Sequence, residues 1–275
     1  MKYFNSYQAA EIMNVNVSTI KRWTDTKKLD CTQTEGGHRK FTLYNINEFL
    51  KKNNKSKQIN IYKISDSLND ILCKHIENID YEKFKNYFLD ILLSGDTERI
   101  TAIIEGLYLK SAPIYQIYDK LVSPSLNRVG QLWLKNNISI ADEHLASNTI
   151  IKVINNLSTL LYIEENNSKK IILLFCLKHN NHSIPLQMAD QIFSVNGHKV
   201  INCSSNTPVF SLKNIIKTYK PNIILASLTY VEDKNMAISE IVELKKIINE
   251  NNKSDVYIAG ISENYFEDEK FSGIE

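Results

Sequence analysis

No apolar run in this sequence approaches the roughly 20 residues that a membrane-spanning helix needs. Its opening, MKYFNSYQAA, lacks the apolar stretch of a secretory leader, so a cytoplasmic protein is expected. Glycine and proline are scarce, 8 and 5 in 275 residues, and the balance of 43% hydrophobic and 23% charged is that of an ordinary soluble globular chain. Cysteine is sparse too. Cys31, Cys73, Cys176 and Cys203 lie far apart and match no zinc or redox spacing, which leaves reduced thiols as the expectation. There is no Ser/His/Asp set, metal cluster or phosphate-cradling loop, so an enzyme is not expected. The length allows two or three domains of roughly 100–200 residues each.

The formal charge of +2 hides a segregation. Residues 1–57 hold eleven Lys/Arg against five Asp/Glu, a net +6, whereas the remaining 218 hold 22 against 26, a net −4. A small basic domain on a mildly acidic body suggests that one end meets a polyanion. A solvated basic face would look the same, so charge alone decides nothing.

The basic end carries more than charge. Ser6 is expected to cap a helix over YQAAEIM, in which Ala9, Ala10 and Met13 recur at helical spacing. Asn14-Val15-Asn16 then makes a tight turn into a second helix, VSTIKRWTDTKKL. Val17, Ile20 and Leu29 can face inward, Trp23 fills the junction, and Ser18, Thr19, Lys21, Arg22 and Asp25 face out. This is the helix-turn-helix plan, whose second helix fits the major groove of DNA. CTQT and HRKFT flank Glu35-Gly36-Gly37, so a β-hairpin follows, with glycine supplying the positive φ of its turn. Such a wing would hold His38, Arg39 and Lys40 beside the recognition helix, Arg39 and Lys40 meeting phosphates, while Phe41 packs back on the domain. A closing helix is expected over 46–50. NVSTIKRWTDTKKL followed by TEGGHRKF resembles the winged-helix DNA-binding domain of the MerR and excisionase group, over about the first 50 residues.

Residues 53–62 open with the polar, basic NNKSKQ and are expected as a linker between the winged domain (1–52) and a helical bundle (63–166). LNDILCKHI, YEKFKNYFLDILL, ERITAIIEGLYL, YQIYDKLVSPSLNRVGQLWL and ISIADEHLASNTIIKVINNLSTLL each place apolar residues at helical spacing, with short separators, and Pro124 is expected to kink the fourth. Trp133 is followed after nine residues by Glu143-His144, so the three can converge on one end of the bundle. On residue type alone Trp133 reads as a buried cap, Glu143 as solvated and His144 as a polar residue on a packed helix. VGQLWLKNNISIADEHLASN, however, resembles the helical module that precedes the cobalamin-binding domain of the CarH and LitR photoreceptor repressors, which also begin with a MerR-type domain. The resemblance implies that Trp133, Glu143 and His144 lie over the upper face of a corrin.

Residues 167–275 alternate strand and helix. KKIILLFCL, HKVINC, PNIILASLT and SDVYIAG read as strands; PLQMADQIFSVNG, VFSLKNIIKTY and KNMAISEIVELKKIINEN read as helices. This alternation predicts a flavodoxin-like parallel sheet with ligands at the carboxyl ends of the strands, and the resemblance implies that it is of the cobalamin-binding kind. Domains of that kind carry a carboxylate, one residue, His, two residues and Gly after the first strand. Here NNHSIP gives Asn180, His182 and Pro185. The resemblance implies His182 as the lower cobalt ligand, Ser227 as the serine bonding the nucleotide tail, and Gly260 as the survivor of paired glycines in Ala259-Gly260-Ile261. A carboxylate orients such a ligating imidazole. With Asn180 in its place weaker ligation is expected, and the ring of Pro185 takes up space where the tail passes.

The expected architecture is therefore multidomain: a winged helix-turn-helix, an all-α bundle and a flavodoxin-like α/β domain. The expected function is a transcription regulator that binds a double-stranded DNA operator as a homodimer or homotetramer, away from membranes. Its sensor would take adenosylcobalamin or methylcobalamin, and a ligand clamped between bundle and α/β domain would set oligomeric state. Two alternatives stand beside it: a regulator whose sensor has lost cobalamin and works by protein contacts, and, more remotely, the corrinoid carrier of a methyltransferase.

Overall fold

A computed structural model of the protein describes residues 3–161, 169–229, 233–251 and 254–260. It divides into two compact units, 1–162 and 163–275.

The first unit opens with helix α1 (Ser6–Ile12), followed by α2 (Val17–Asp25), the antiparallel pair β1 (Thr32–Gln33) and β2 (Arg39–Lys40), and α3 (Leu43–Lys52). The cap of α1 is Asn5, not Ser6. Its side chain accepts the N–H groups of Tyr7 and Gln8, and Gln8 bonds back to the Asn5 N–H, each at 2.9 Å. A capping box needs a Gln or Glu three residues on, which Asn5 has in Gln8 and Ser6, facing Ala9, does not. The closing helix begins at Leu43 because Thr42 and Asn45 form a second such box.

Residues 53–62 do not form an open tether. Two short 3₁₀ turns, Ser56–Gln58 and Ile61–Lys63, carry the chain back over the domain. Ile59 and Ile61 are buried, the Asn60 N–H donates to the Ile12 carbonyl at 2.9 Å, and the hydroxyls of Ser56 and Ser111 touch. The polar run NNKSKQ hid this, because the apolar anchors come directly after it.

Six helices complete the unit: α4 (Asp70–Asn78), α5 (Tyr81–Leu93), α6 (Thr97–Leu109), α7 (Ile114–Ile117), α8 (Ser123–Leu134) and α9 (Ile140–Leu160). Asn69, Asp80, Asp96 and Ser139 cap α4, α5, α6 and α9 through their side chains. Every residue of α6 from Ile100 to Leu109 is buried, as befits a helix apolar nearly all round, and it packs against α3, α4, α5 and α9. Between α7 and α8 the helix widens into a π turn, Tyr118–Val122. Pro124 follows at once; lacking an N–H and crowding the preceding turn, it is accommodated by that wider turn.

The second unit is a parallel sheet ordered β4-β3-β5-β6, with β3 (Ile171–Cys176), β4 (Lys199–Asn202), β5 (Ile223–Ser227) and β6 (Asp255–Ala259). Helices α10 (Ile184–Val195), α11 (Lys213–Tyr219) and α12 (Lys234–Asn251) connect them. Strand β3 is buried on both faces, which explains its unbroken apolar run. Leu173, Phe175 and Leu177 join Ile216, Ile241 and Leu244 of α11 and α12, while Ile172, Leu174 and Cys176 join Leu186 of α10. Each such buried aliphatic side chain contributes about 1.5–3 kcal/mol. The β3/β5 boundary is where strand order reverses, and ligands of such sheets bind there. Residue 261 and those after it lie outside the described residues.

One seam in the first unit joins α3 to the helices that follow it. Asn47 of α3 is fully buried against α6. With its amide oriented to satisfy both ends, it donates to the Tyr108 carbonyl at 2.9 Å and accepts from the Tyr108 hydroxyl at 3.3 Å and Lys51 Nζ at 3.2 Å. The Lys51 ammonium also stands 5.5 Å from the centre of the Tyr108 ring. Burial pushes the Tyr108 phenol up to about 12. Asn47→Ala strands polar groups of Tyr108 in an apolar seam and is expected to cost about 1–3 kcal/mol, read as a lower midpoint in urea or heat. Because the folded phenol titrates above its ordinary value of 10, its share of stability is whole below pH 10 and lost as pH climbs toward 12. In Tyr108→Phe that alkaline loss should shrink.

Candidate nucleic-acid interface and cofactor site

The turn between α1 and α2 is made by Asn14 in the left-handed region (φ 52°), and Val15 N–H closes it on the Ala10 carbonyl at 3.0 Å. Ile20 and Leu29 are buried, which leaves Ser18, Lys21 and Arg22 exposed and Thr19 half-buried on the outer face of α2. Trp23 is a joint rather than a core residue. It is half-buried, 4.5 Å from the ring of Phe49 in α3, with Lys55 Nζ 5.8 Å from its own ring.

In the wing, Thr32 pairs with Lys40 and Gln33 with Arg39. Only one of the two glycines is conformationally required: Gly37 has φ 76°, and its N–H closes the turn on the Thr34 carbonyl at 2.8 Å. Phe41 is buried and exchanges two 2.9 Å backbone bonds with Phe4, which fixes the base of the hairpin. His38 and Lys40 are exposed, and Lys40 Nζ stands 5.2 Å from the Tyr3 ring centre. Arg39 behaves differently from the bare phosphate contact expected of it. Its Nη2 donates to Asp25 Oδ1 at 2.5 Å, and its side chain is only 20% exposed. Sequence reasoning set Asp25 aside as an outward residue; a partner fourteen positions away across a turn leaves no periodic signal.

Trp133 lies in the last turn of α8, and Glu143 and His144 lie in the first turn of α9. Glu143 Oε2 is 3.7 Å from His144 Nε2, and Glu143 Oε1 accepts the Ser147 hydroxyl at 2.7 Å. The structure thus brings the carboxylate and imidazole together and holds the carboxylate from behind. Trp133 is not a buried cap: it is 42% exposed, and Leu134, Ile140 and Leu145 around the same corner are exposed as well. The Ser139 hydroxyl and N–H, both bonded to the Asp142 carboxylate, hold that group below its ordinary range and fix the start of α9.

At the carboxyl end of β3 the chain turns through His179 (φ 64°) into Asn180, which is 1% exposed. Asn180 ties three loops together, two through its side-chain amide and the third through its main-chain carbonyl. Its Oδ1 accepts from His182 N–H at 3.1 Å, His182 Nδ1 at 3.3 Å and the Thr229 hydroxyl at 3.3 Å, and its Nδ2 donates to the Ser227 carbonyl at 3.5 Å. The Asn206 N–H donates to the Asn180 carbonyl at 3.0 Å, and Asn206 Oδ1 accepts from His179 N–H at 2.8 Å. Because Oδ1 can only accept, this contact is a hydrogen bond when Nδ1 carries a proton, and in the neutral ring that puts the lone pair on Nε2. That is the tautomer a metal-ligating imidazole needs, with a neutral amide as the acceptor where a carboxylate usually serves. The lower-ligand position therefore fits an axial imidazole.

The rest of the pocket fits less well. Pro185 sits in the first turn of α10, and Ser227 is 4% exposed, its carbonyl already accepting from Asn180. Gly260 has φ 113°, and a Cβ there would lie 2.9 Å from Thr229 Cγ2 and 3.0 Å from the Leu228 backbone. The ends of β5 and β6 are thus closed on each other, a contact that also includes the Leu228 N–H to the Ala259 carbonyl at 2.8 Å. Among the described residues no group of three His, Cys, Asp or Glu side chains is placed to hold a metal ion unaided. No helix of the described residues is long and apolar enough to cross a membrane.

Comparison with known proteins finds two family matches, both within the first unit. Residues 4–54 match the MerR HTH family regulatory protein model, and residues 86–158 match the B12 binding domain model. The chain thus pairs a MerR-type helix-turn-helix domain with a B12-binding-type helical region, followed by a parallel sheet with helices. Among solved structures it resembles the Methanosarcina barkeri monomethylamine corrinoid protein, at 13% identity and TM-score 0.54, covering 68% of this chain and 89% of that one. It is also similar to a cobalamin-binding protein from Desulfitobacterium hafniense DCB-2, at 15% identity and TM-score 0.34, covering 68% and 87%. The first of these likenesses shows the fold. No curated protein matches the sequence.

Asn180→Ala is expected to cut the side-chain ties between the 179–183 and 227–229 loops, leave the main-chain tie to Asn206, and lower stability by about 1–3 kcal/mol. Amide exchange at 177–183 and 227–229 should rise in the same variant. Unchanged exchange there would mean that the loops are held by something else.

Proposed function

We propose that this protein is a transcription regulator that binds duplex DNA through its first 52 residues and senses a corrinoid through the remainder. The observation that carries the reading is the joint occurrence, on one chain, of a MerR-type domain whose cationic face is exposed and a B12-binding-type helical region. Ser18, Thr19, Lys21 and Arg22 on α2 would enter the major groove, and His38, Arg39 and Lys40 on the wing would lie along the adjacent backbone. One winged domain buries too little surface for tight specific binding, so operator recognition would use a dimer or tetramer.

A bound cobalamin would supply a cobalt ion with exchangeable axial positions. In the second unit His182, oriented by Asn180, would hold it, and Ser227 and Gly260 would meet the nucleotide tail; in the first unit Trp133, Glu143 and His144 are the candidate corrinoid contacts. The adenosyl and methyl forms are both candidates, and ligand binding would act by changing the assembly state. A second reading keeps the DNA-binding function but denies the ligand. It is favoured by Pro185 and by the hydrogen bonds that already tie Asn180 to Ser227, Thr229 and Asn206. The corrinoid-carrier reading is disfavoured, because a carrier has no use for an exposed DNA-reading helix.

Purified protein mixed with adenosylcobalamin in the dark should co-elute with corrin absorption on sizing, and His182→Ala should change the spectrum of the bound form. Folded protein that binds DNA yet elutes without corrin would select the second reading. Lys21→Ala and Arg22→Ala should each weaken DNA binding and lower the slope of log K against log salt by about 0.9 for each lost phosphate contact. Methyl-group acceptance without retardation of any duplex would select the carrier.

A further inference from the structure

The arginine in the wing is placed for a different task from its lysine neighbour. A guanidinium grips a phosphate bidentately along one of two edges, Nε with Nη2 or Nη1 with Nη2, and both edges need Nη2. In Arg39 that nitrogen donates to Asp25 Oδ1 at 2.5 Å, while Nε is buried with no hydrogen-bond partner. Nη2 carries two N–H groups, so Asp25 and the burial of Nε close the Nε edge, and only the Nη1 side of a group already paired with a carboxylate is left for another partner. Asp25 is the last residue of α2, and its carboxylate stays 63% exposed, whereas the Arg39 side chain is 20% exposed. An acidic group on the reading helix repels a polyanion, so its presence there calls for a reason.

We infer that Asp25 and Arg39 form a clasp that sets the wing against the recognition helix, and that Arg39 is a positioning residue rather than a phosphate ligand. The inference rests on the DNA-binding reading and deepens it. The wing is a two-residue ladder with a four-residue turn, joined to the domain at its base by the Phe4–Phe41 bridge. Nothing in so short a ladder fixes the sideways angle of the hairpin. An ion pair from its middle to the end of α2 does so, and this places Lys40 and His38 at a defined distance from Lys21 and Arg22. Arg39 is thus an internal strut, and its charge is already neutralised before DNA arrives.

The clasp makes a prediction opposite in sign to simple electrostatics. Full-length protein would be titrated, at several salt concentrations, onto a labelled duplex selected by the wild type from a random pool. Asp25→Asn removes a negative charge from the DNA face, yet it should weaken binding by about fivefold, the upper range for an exposed ion pair. Arg39→Gln should weaken it by a similar factor, and the double variant should be no weaker than either single one. All three should keep the wild-type salt slope, whereas Lys40→Gln should lower it by about 0.9. Asp25→Glu, which keeps the carboxylate, should bind nearly as the wild type does.

Tighter binding or a steeper slope in Asp25→Asn would show Arg39 released onto a phosphate and would overturn the inference. A slope lowered by about 0.9 in Arg39→Gln would do the same. Amide exchange in the free protein tests the clasp without DNA: exchange at Thr34 and His38 should quicken in Asp25→Asn, and no change would sink the clasp while leaving DNA binding intact. If the wild type selects no duplex, the DNA-binding reading itself falls.

Discussion

A single amide buried between α3 and α6 determines what kind of machine the first unit is. A polar side chain with no solvent exposure is tolerated only if its partners are fixed in place, since each unmet group costs more than a hydrogen bond returns. Asn47 meets that condition by using Tyr108 twice and Lys51 once. Apolar contacts alone would let α3 slide over α6, because they are not directional. The amide removes that freedom. With Ile59 and Ile61 buried in the connecting segment, the DNA-reading helix and the helical region are one packed body rather than two beads on a string.

The sequence told most about those features that repeat along the chain. Strand β3 was legible because nine residues of KKIILLFCL leave no helical alternative once Pro185 and Gly197 bracket the next element. The helix-turn-helix was legible because Ile20 and Leu29 fall inward while Ser18, Lys21 and Arg22 fall outward from the same short segment. What stayed hidden depends on pairs far apart in sequence. Asp25 with Arg39, Asn47 with Tyr108, and Asn180 with Thr229 are separated by 14, 61 and 49 positions, and no local period encodes them. The packing of the linker stayed hidden for a related reason: two isoleucines are too few to form a pattern, yet enough to anchor a turn. Trp133 differs again. Its residue type favoured burial, and only the surroundings leave it at a corner with three other exposed apolar side chains.

Asn180 shows how one substitution can preserve geometry while changing chemistry. A carboxylate at 1% exposure would need a compensating charge, and its second oxygen would face the Ser227 carbonyl that the amide nitrogen now donates to. The site is therefore built for an amide. It still accepts from the His182 ring at Nδ1, but it adds no negative charge that would make Nε2 more basic. Orientation and basicity, which a carboxylate supplies together, are separated here.

The same separation runs through the DNA-reading end. Asp25 and Arg39 spend two charges on each other to hold a direction, and Lys21, Arg22 and Lys40 keep theirs exposed. In the α/β unit an amide holds an imidazole; at the α9 corner Ser147 holds Glu143 beside His144. Arg39, Glu143 and His182 are thus each backed by a second residue. Such backing residues are poorly visible in sequence because their roles depend on where the fold puts them. They also decide whether a site with the right residue types is a working site, since an unbacked lysine or histidine samples too many directions to meet a partner in one.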